Sequence, residues 1–383
     1  MKNIKLPIAT SIVVDDVGWF DGRDLRVSGG PARSGLPRFH HPDDVRALNE
    51  IGRALNTKIL CSLVLGDWDK CNRLRGVPHV TAEEDGWDRA ASIDLDYANS
   101  YFDALEESEF LDYAIHGLMH SYYEDGKLVT ARQYYPDRTD GHGNKTGGYR
   151  WLSTEEFDRM IGLFLEIYRD WGFKKPIVDF VSPCGCFGAV KDKGNIRYAE
   201  VLRKYGVLHW ANGWKNNEYQ VDTVEGIIIS GAYGTVIPWN AYGANPKYFG
   251  DVKVGTHLCG HLANFVRYDP EDNFEYVEAW ADYFRRMTSP FGLMLARDKG
   301  ESCSQTLYSR FARVSASEGG YVIDLDGLDA VDAIDKRMEF FVSLRGVTPT
   351  GCIGGSLTLR EQRADHAIYK IVRDGGARVE IRV

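Results

Sequence analysis

Two adjacent carboxylates, Asp15 and Asp16, end a run of small and β-branched residues, Ala9-Thr10-Ser11-Ile12-Val13-Val14. Acids at the C-terminal end of a central strand point into a crevice and are candidates for chemistry. Their partners lie in Leu111-Asp112-Tyr113-Ala114-Ile115-His116-Gly117-Leu118-Met119-His120. A helix starting near His116 would put His116 and His120, four apart, on one face, where two imidazoles can share a metal ion. One Asp, two His and an open fourth position make a catalytic zinc site. Position 117 is Gly, so the arrangement with a glutamate base between the histidines is excluded and the base must come from elsewhere. A metal-activated water needs a carboxylate to take its proton during attack on a carbonyl, and two acids allow one to bind metal and one to act as base. Adjacent aspartates also serve as turn or cap residues, and one His of such a pair is often simply buried.

The elements that must position these residues alternate between strand and helix. After a long Gly- and Arg-rich loop (18–41), Val45, Leu48, Ile51 and Leu55 mark a helix behind Pro42 and the first-turn acids Asp43 and Asp44. A strand over 58–65 runs into Asp67 and Trp68, a pair suited to substrate contact or, equally, to a helix-entry turn. A helix over 97–105 leads to the strand ending at His116. A polar, glycine-bearing loop (122–151) precedes a helix with a Ser153/Glu156 capping box, a buried face of Phe157, Met160, Ile161, Phe164, Ile167, Tyr168 and Trp171, and Gly172 as C-cap. Strands over 176–181, 206–208, 226–229, 235–240 and 251–256 then end near Pro183, at His209 and Trp210, at Trp239 and Asn240, and at His257. A helix over 274–287 closes the series. Strand–helix alternation indicates an α/β fold with a parallel sheet, and polar residues at so many strand ends indicate a barrel with its site on that face. The expected architecture is a distorted seven-stranded (β/α) barrel over residues 1–300. Residues 301–383 change to short alternating strands, read as a small all-β, sandwich-like domain whose last two strands, Ile368–Val372 and 379–383, form a hairpin around Asp374-Gly375-Gly376.

Composition limits the partners. The net charge of −9 lacks the basic footprint of a nucleic-acid binder and equally disfavours an anionic membrane surface. Seven cysteines, an odd number without a C-x-x-C pair, argue against a disulfide framework. With no apolar run long enough for a signal or a span, the expectation is a cytoplasmic protein. The 9 Trp and 21 Tyr suit sugar stacking as well as a core. Homo-oligomerisation is left open.

In Ser11–Asp16 and His116–His120 the chain resembles the polysaccharide deacetylases of the NodB-homology type, carbohydrate esterase family 4-like, over about residues 8–290. The resemblance implies a distorted barrel carrying zinc or another divalent transition metal and acting on an N-acetylated carbohydrate. It makes Asp15 the general base, Asp16, His116 and His120 the metal ligands, and His257 the general acid. Asp67, Trp68, Pro183, His209, Trp210, Trp239, Asn240 and His261 fall at positions for substrate contact, His261 also as an orienting partner. Val17, Val181, Cys184 and Leu258 stand where the family carries Gly, Arg, an aromatic and Asp. Two other readings remain: a glycosidase on a related barrel, with Asp67 paired to Asp15 or Asp16, and a carbohydrate-binding protein that has lost activity.

Overall fold

The strand Ile8–Val17 (β1) is buried along almost its whole length because other strands flank both its edges and helices cover its outer face. The computed structural model describes residues 3–383 apart from 29, 32, 34, 140–144, 186–191, 213–220, 232–241 and 251–253. Further strands are Ile59–Val64 (β2), Leu111–Gly117 (β3), Asp179–Val181 (β4), His209–Asn212 (β5), Val221–Val224 (β6), Ile227–Gly231 (β7), His257–His261 (β8) and Leu293–Leu295 (β9). They form one curled sheet in the order β6-β7-β5-β4-β3-β2-β1-β8, with β9 also paired to β1. All neighbours are parallel except β6, which runs antiparallel to β7. Near-continuous apolar runs such as Ile59–Val64 are what a parallel sheet covered on both faces requires.

Among the described residues six longer helices are Pro42–Leu55 (α1), Leu95–Glu107 (α2), Thr154–Trp171 (α3), Lys193–Lys204 (α4), Val277–Thr288 (α5) and Lys299–Phe311 (α6). In α3 the reciprocal cap forms as expected: Ser153 Oγ accepts from Glu156 N at 3.1 Å, and Glu156 Oε2 accepts from Ser153 N at 2.8 Å. Gly172 closes the helix at φ 80. The seven expected side chains are buried, each large one contributing about 1.5–3 kcal/mol. Among the described residues no helix is long and apolar enough to cross a membrane.

The described residues form a curled, open sheet and do not confirm the expected seven-stranded barrel, one of whose strands, 235–240, lies outside them. Among the described residues β7 and β8 do not pair. Side chains bridge them instead: Thr256 Oγ1 donates to Gly231 O (2.6 Å), and Lys299 Nζ at the start of α6 reaches Ser230 Oγ (2.9 Å) and His257 Nδ1 (3.3 Å). Strand periodicity shows which segments are strands but not whether the outermost two meet. The expected division at residue 300 falls within α6, which is buried from Lys299 to Tyr308. Cys303, Leu307 and Tyr308 share a core with Ile228 of β7 and with Phe340, Ile371 and Ile381 of the C-terminal region.

That region holds two four-stranded sheets, one joining Ile4–Lys5, Glu339–Leu344, Ala367–Arg373 and Gly355–Gln362, the other Arg313–Ser317, Gly320–Asp324, Arg378–Arg382 and Gly351–Ile353. The expected final hairpin is absent. Ala367–Arg373 and Arg378–Arg382 lie in different sheets, and the chain crosses between them at Asp374–Gly376. Both strands feed alternate residues, Ile371 against Val379 and Ile381, into one core, so their alternation fits either arrangement.

Candidate active site

Simple alternation along β1 would send Asp15 and Asp16 to opposite faces of the sheet. The pairing of β1 with β2 slips between Val14, opposite Cys61, and Val17, opposite Leu63, so β1 accommodates one extra residue there. Asp16 takes φ 63, a left-handed conformation uncommon outside glycine and a strain of about 1–3 kcal/mol that the surrounding structure must hold. A bulge of this kind re-aims a side chain. Asp15 Oδ1 accepts from Ser62 Oγ (2.7 Å) and Oδ2 from Cys259 Sγ (3.2 Å), while Asp16 Oδ1 lies 3.6 Å from His116 Nε2 and 3.7 Å from His120 Nε2. Both carboxylates therefore reach one interior.

His116 and His120 meet without the expected helix. His116 is the penultimate residue of β3, and the chain then bends, with His120 at φ 46. The bend is held by a residue the sequence reading passed over: buried Gln133 Oε1 accepts the backbone N–H groups of Leu118 (3.0 Å), Met119 (3.1 Å) and His120 (3.0 Å). Gly117 is needed because a Cβ there would stand 2.8 Å from that oxygen. An isolated Gln in a polar loop carries no local signal of this task. His116 Nδ1 lies 2.8 Å from Val181 O, and since a carbonyl only accepts, Nδ1 carries the proton and Nε2 is the free ligand nitrogen of the neutral ring.

Asp16 Oδ1 and His116 Nε2 are buried without a hydrogen-bond partner. Ligand atoms of Asp16, His116 and His120, all buried, lie within 4.8 Å of one another. Buried polar atoms left unpaired are costly, and a converging carboxylate and two imidazoles form a donor set for zinc or a similar divalent ion. Electrostatics favour the ligand forms at two of the three. Burial opposes ionisation of Asp16, but His120, His116 and His261 hold its carboxyl well below the usual range. Burial pushes His120 down to about 4, whereas His116 is raised, burial being outweighed by Asp15 and Asp16.

The remaining predicted residues separate into three groups. His261 ends β8 level with Asp15, its Nδ1 is buried without a partner, and its charge acts on Asp16 and His120. His257, expected at a strand end facing the metal, instead begins β8, level with Ser11, beside Lys299; burial and that ammonium push it well below the ordinary imidazole range. The correction arises because the strand covers 257–261 and residues 254–256 precede it, while 251–253 lie outside the described residues. His209 likewise begins β5 instead of following a strand, and it is held between Asp179 Oδ1 (3.0 Å) and Asp335 Oδ2 (2.9 Å) at the opposite end of the sheet.

Trp68 and Trp210, expected against substrate, are fully buried in the core: Trp68 Nε1 donates to Gly18 O (2.6 Å) and Trp210 Nε1 to Ser182 Oγ (2.8 Å). Pro183 is buried in the turn after β4. Asp67 accepts from Phe20 N (3.0 Å), pairs with Arg33 at 3.3 Å, and with Arg33, Trp87, Arg89, Met119 and Tyr123 lines a cleft of about 360 Å³. Trp239 and Asn240 lie outside the described residues.

No family model and no curated protein matches this sequence. Among solved structures, Agd3, a carbohydrate deacetylase, aligns over 98% of this chain at 8% identity with a TM-score of 0.51. The chain spans 65% of that protein's length. A protein from Mycobacterium smegmatis described as a polysaccharide deacetylase aligns over 73% of this chain and 82% of its own at 9% identity, TM-score 0.37. A 4-alpha-glucanotransferase from Thermococcus litoralis aligns over 76% and 39% at 12% identity, TM-score 0.36. The likeness to Agd3 is one of fold: this chain has a carbohydrate-deacetylase-like fold.

Proposed function

We propose that this chain is a metal-dependent hydrolase that removes an N-acetyl group from an amino sugar, free or within a polysaccharide. The observation that carries the reading is the buried Asp16–His116–His120 group with a second carboxylate, Asp15, beside it. Asp16, His116 and His120 would hold zinc or another divalent transition metal, whose Lewis acidity, when bound, polarises the amide carbonyl and activates water. Asp15 takes the proton of the attacking water. His261, in the place first given to His257, donates a proton to the leaving amine, since it stands at the same level as Asp15 whereas His257 is spent on Lys299. The cleft at Asp67 offers Trp87 and Tyr123 for ring contact and Arg33 and Arg89 for hydroxyl recognition, the mixture that suits a sugar. Pro183 shapes the turn after β4, and Trp239 and Asn240 remain candidates for substrate contact.

The test is metal analysis of the purified protein followed by acetate release from N-acetylated oligosaccharides of glucosamine and galactosamine. Bound zinc together with acetate release supports the reading. A metal-free protein that stays inactive when zinc is supplied removes it.

A further inference from the structure

The Asp15 carboxylate is gripped from both sides. Its strand, β1, lies between β2 and β8, and each neighbour supplies one uncharged donor: Ser62 Oγ to Oδ1 at 2.7 Å, Cys259 Sγ to Oδ2 at 3.2 Å. We propose that Cys259, acting with Ser62, is a positioning residue that fixes the orientation of the Asp15 carboxylate for proton transfer. The inference rests on Asp15 being the general base.

Three features carry it. A carboxylate held at one oxygen still swings about its terminal torsion, whereas donors on both oxygens fix its plane. An ionised carboxylate has about four lone-pair sites, so two donors leave the others for an incoming proton. The thiol is in its donor form, because burial, and then the charge of Asp15, push it well above the ordinary range. Cys259 also packs against the small interior cluster of Val13, Leu60, Ala114, Val181 and Ala211, so packing constrains the position of its sulfur. Misplacing a reacting group by an ångström can cost about 100-fold in rate, which gives a weak thiol donor leverage beyond its bond strength.

The full chain loaded with zinc is compared as wild type, Cys259→Ala, Cys259→Ser, Ser62→Ala and Asp15→Ala. The infrared S–H stretching band that vanishes in Cys259→Ala should move to higher frequency in Asp15→Ala, since the thiol then loses its acceptor. On an N-acetylated oligosaccharide, Cys259→Ala should lower kcat roughly 10- to 100-fold with KM and bound zinc unchanged, the scale of losing an orienting partner. Ser62→Ala should do the same, and Cys259→Ser, which restores a donor, should recover most of the loss. An S–H band indifferent to Asp15→Ala overturns the inference. So does a Cys259→Ala enzyme with wild-type kcat, or a Cys259→Ser enzyme as slow as Cys259→Ala. A wild-type enzyme releasing no acetate would instead remove the deacetylase reading, while the infrared comparison still decides whether the thiol is bound to Asp15.

Discussion

Gln133 Oε1 accepts the backbone N–H of His120 at 3.0 Å, and with it those of the two preceding residues, so one side chain on a distant loop shapes the turn that brings His120 to His116. Replacing the amide by an apolar group of similar size, Gln133→Leu, strands three buried donors, at about 1–3 kcal/mol for each that finds no substitute. The expected outcome is a lowered unfolding midpoint and a roughly 10- to 100-fold loss of zinc affinity, read by chelator competition. Zinc bound as tightly as by the wild type would show that the turn holds its shape unaided.

The ligand set makes a sharper prediction. His116→Ala, His120→Ala and Asp16→Asn should each lose the metal while the protein stays folded. Asp15→Asn should keep it and lose ~10²-fold or more in turnover, the scale of a missing general base. Loss of metal from Asp15→Asn, with retention in Asp16→Asn, would reverse the two roles.

His261 and His257 are separated by function tests of opposite kinds. His261→Ala is expected to retain zinc and lose most turnover. His257→Ala removes a neighbour of the buried Lys299 ammonium, so its expected effect is on thermal stability, with turnover close to wild type. Turnover abolished in His257→Ala but kept in His261→Ala would restore the assignment implied by the sequence.

At the other end of the sheet, His209 predicts a pH dependence of stability. Burial disfavours its charge, but Cys303 and the carboxylates of Asp179 and Asp335 outweigh it and raise the imidazole to about 10. A group raised above its unfolded value of 6.5 stabilises the fold fully below that pH and loses its contribution as pH climbs through about 10. The unfolding midpoint should therefore fall between neutrality and pH above 10. His209→Gln, which leaves Asp179 buried beside a neutral partner, should be about 3 kcal/mol or more less stable near neutrality and lose this part of the pH dependence. An identical decline in wild type and variant would assign the effect to other groups.

The local pattern of the sequence determined a good deal. The reciprocal cap at Ser153 and Glu156 and the buried face of α3 are written in neighbouring residues, because helix ends and amphipathic faces depend on spacing alone. The strand–helix alternation likewise yields a parallel sheet with Asp16 near the end of one strand and His116 and His120 at and just past the end of another. Trp68 and Trp210 show the limit of such reading: a tryptophan at a strand end looks the same whether it faces solvent or, as here, the core.

Tertiary structure decided the rest, and each time through contacts between residues far apart in sequence. The slip in pairing that turns Asp16 beside Asp15 is a relation between β1 and β2. The bend between His116 and His120 depends on Gln133, and among the described residues β7 and β8 are bridged by Lys299 from a helix that runs across the expected barrel boundary. That His261 rather than His257 stands level with Asp15 follows from the register of β8 on β1, a displacement along the strand that leaves residue types and spacing untouched. Alternation and capping act within a few residues, so the sequence states them directly. Register, bulges and sheet closure are set by which strand packs against which, and a single sequence carries no local mark of that.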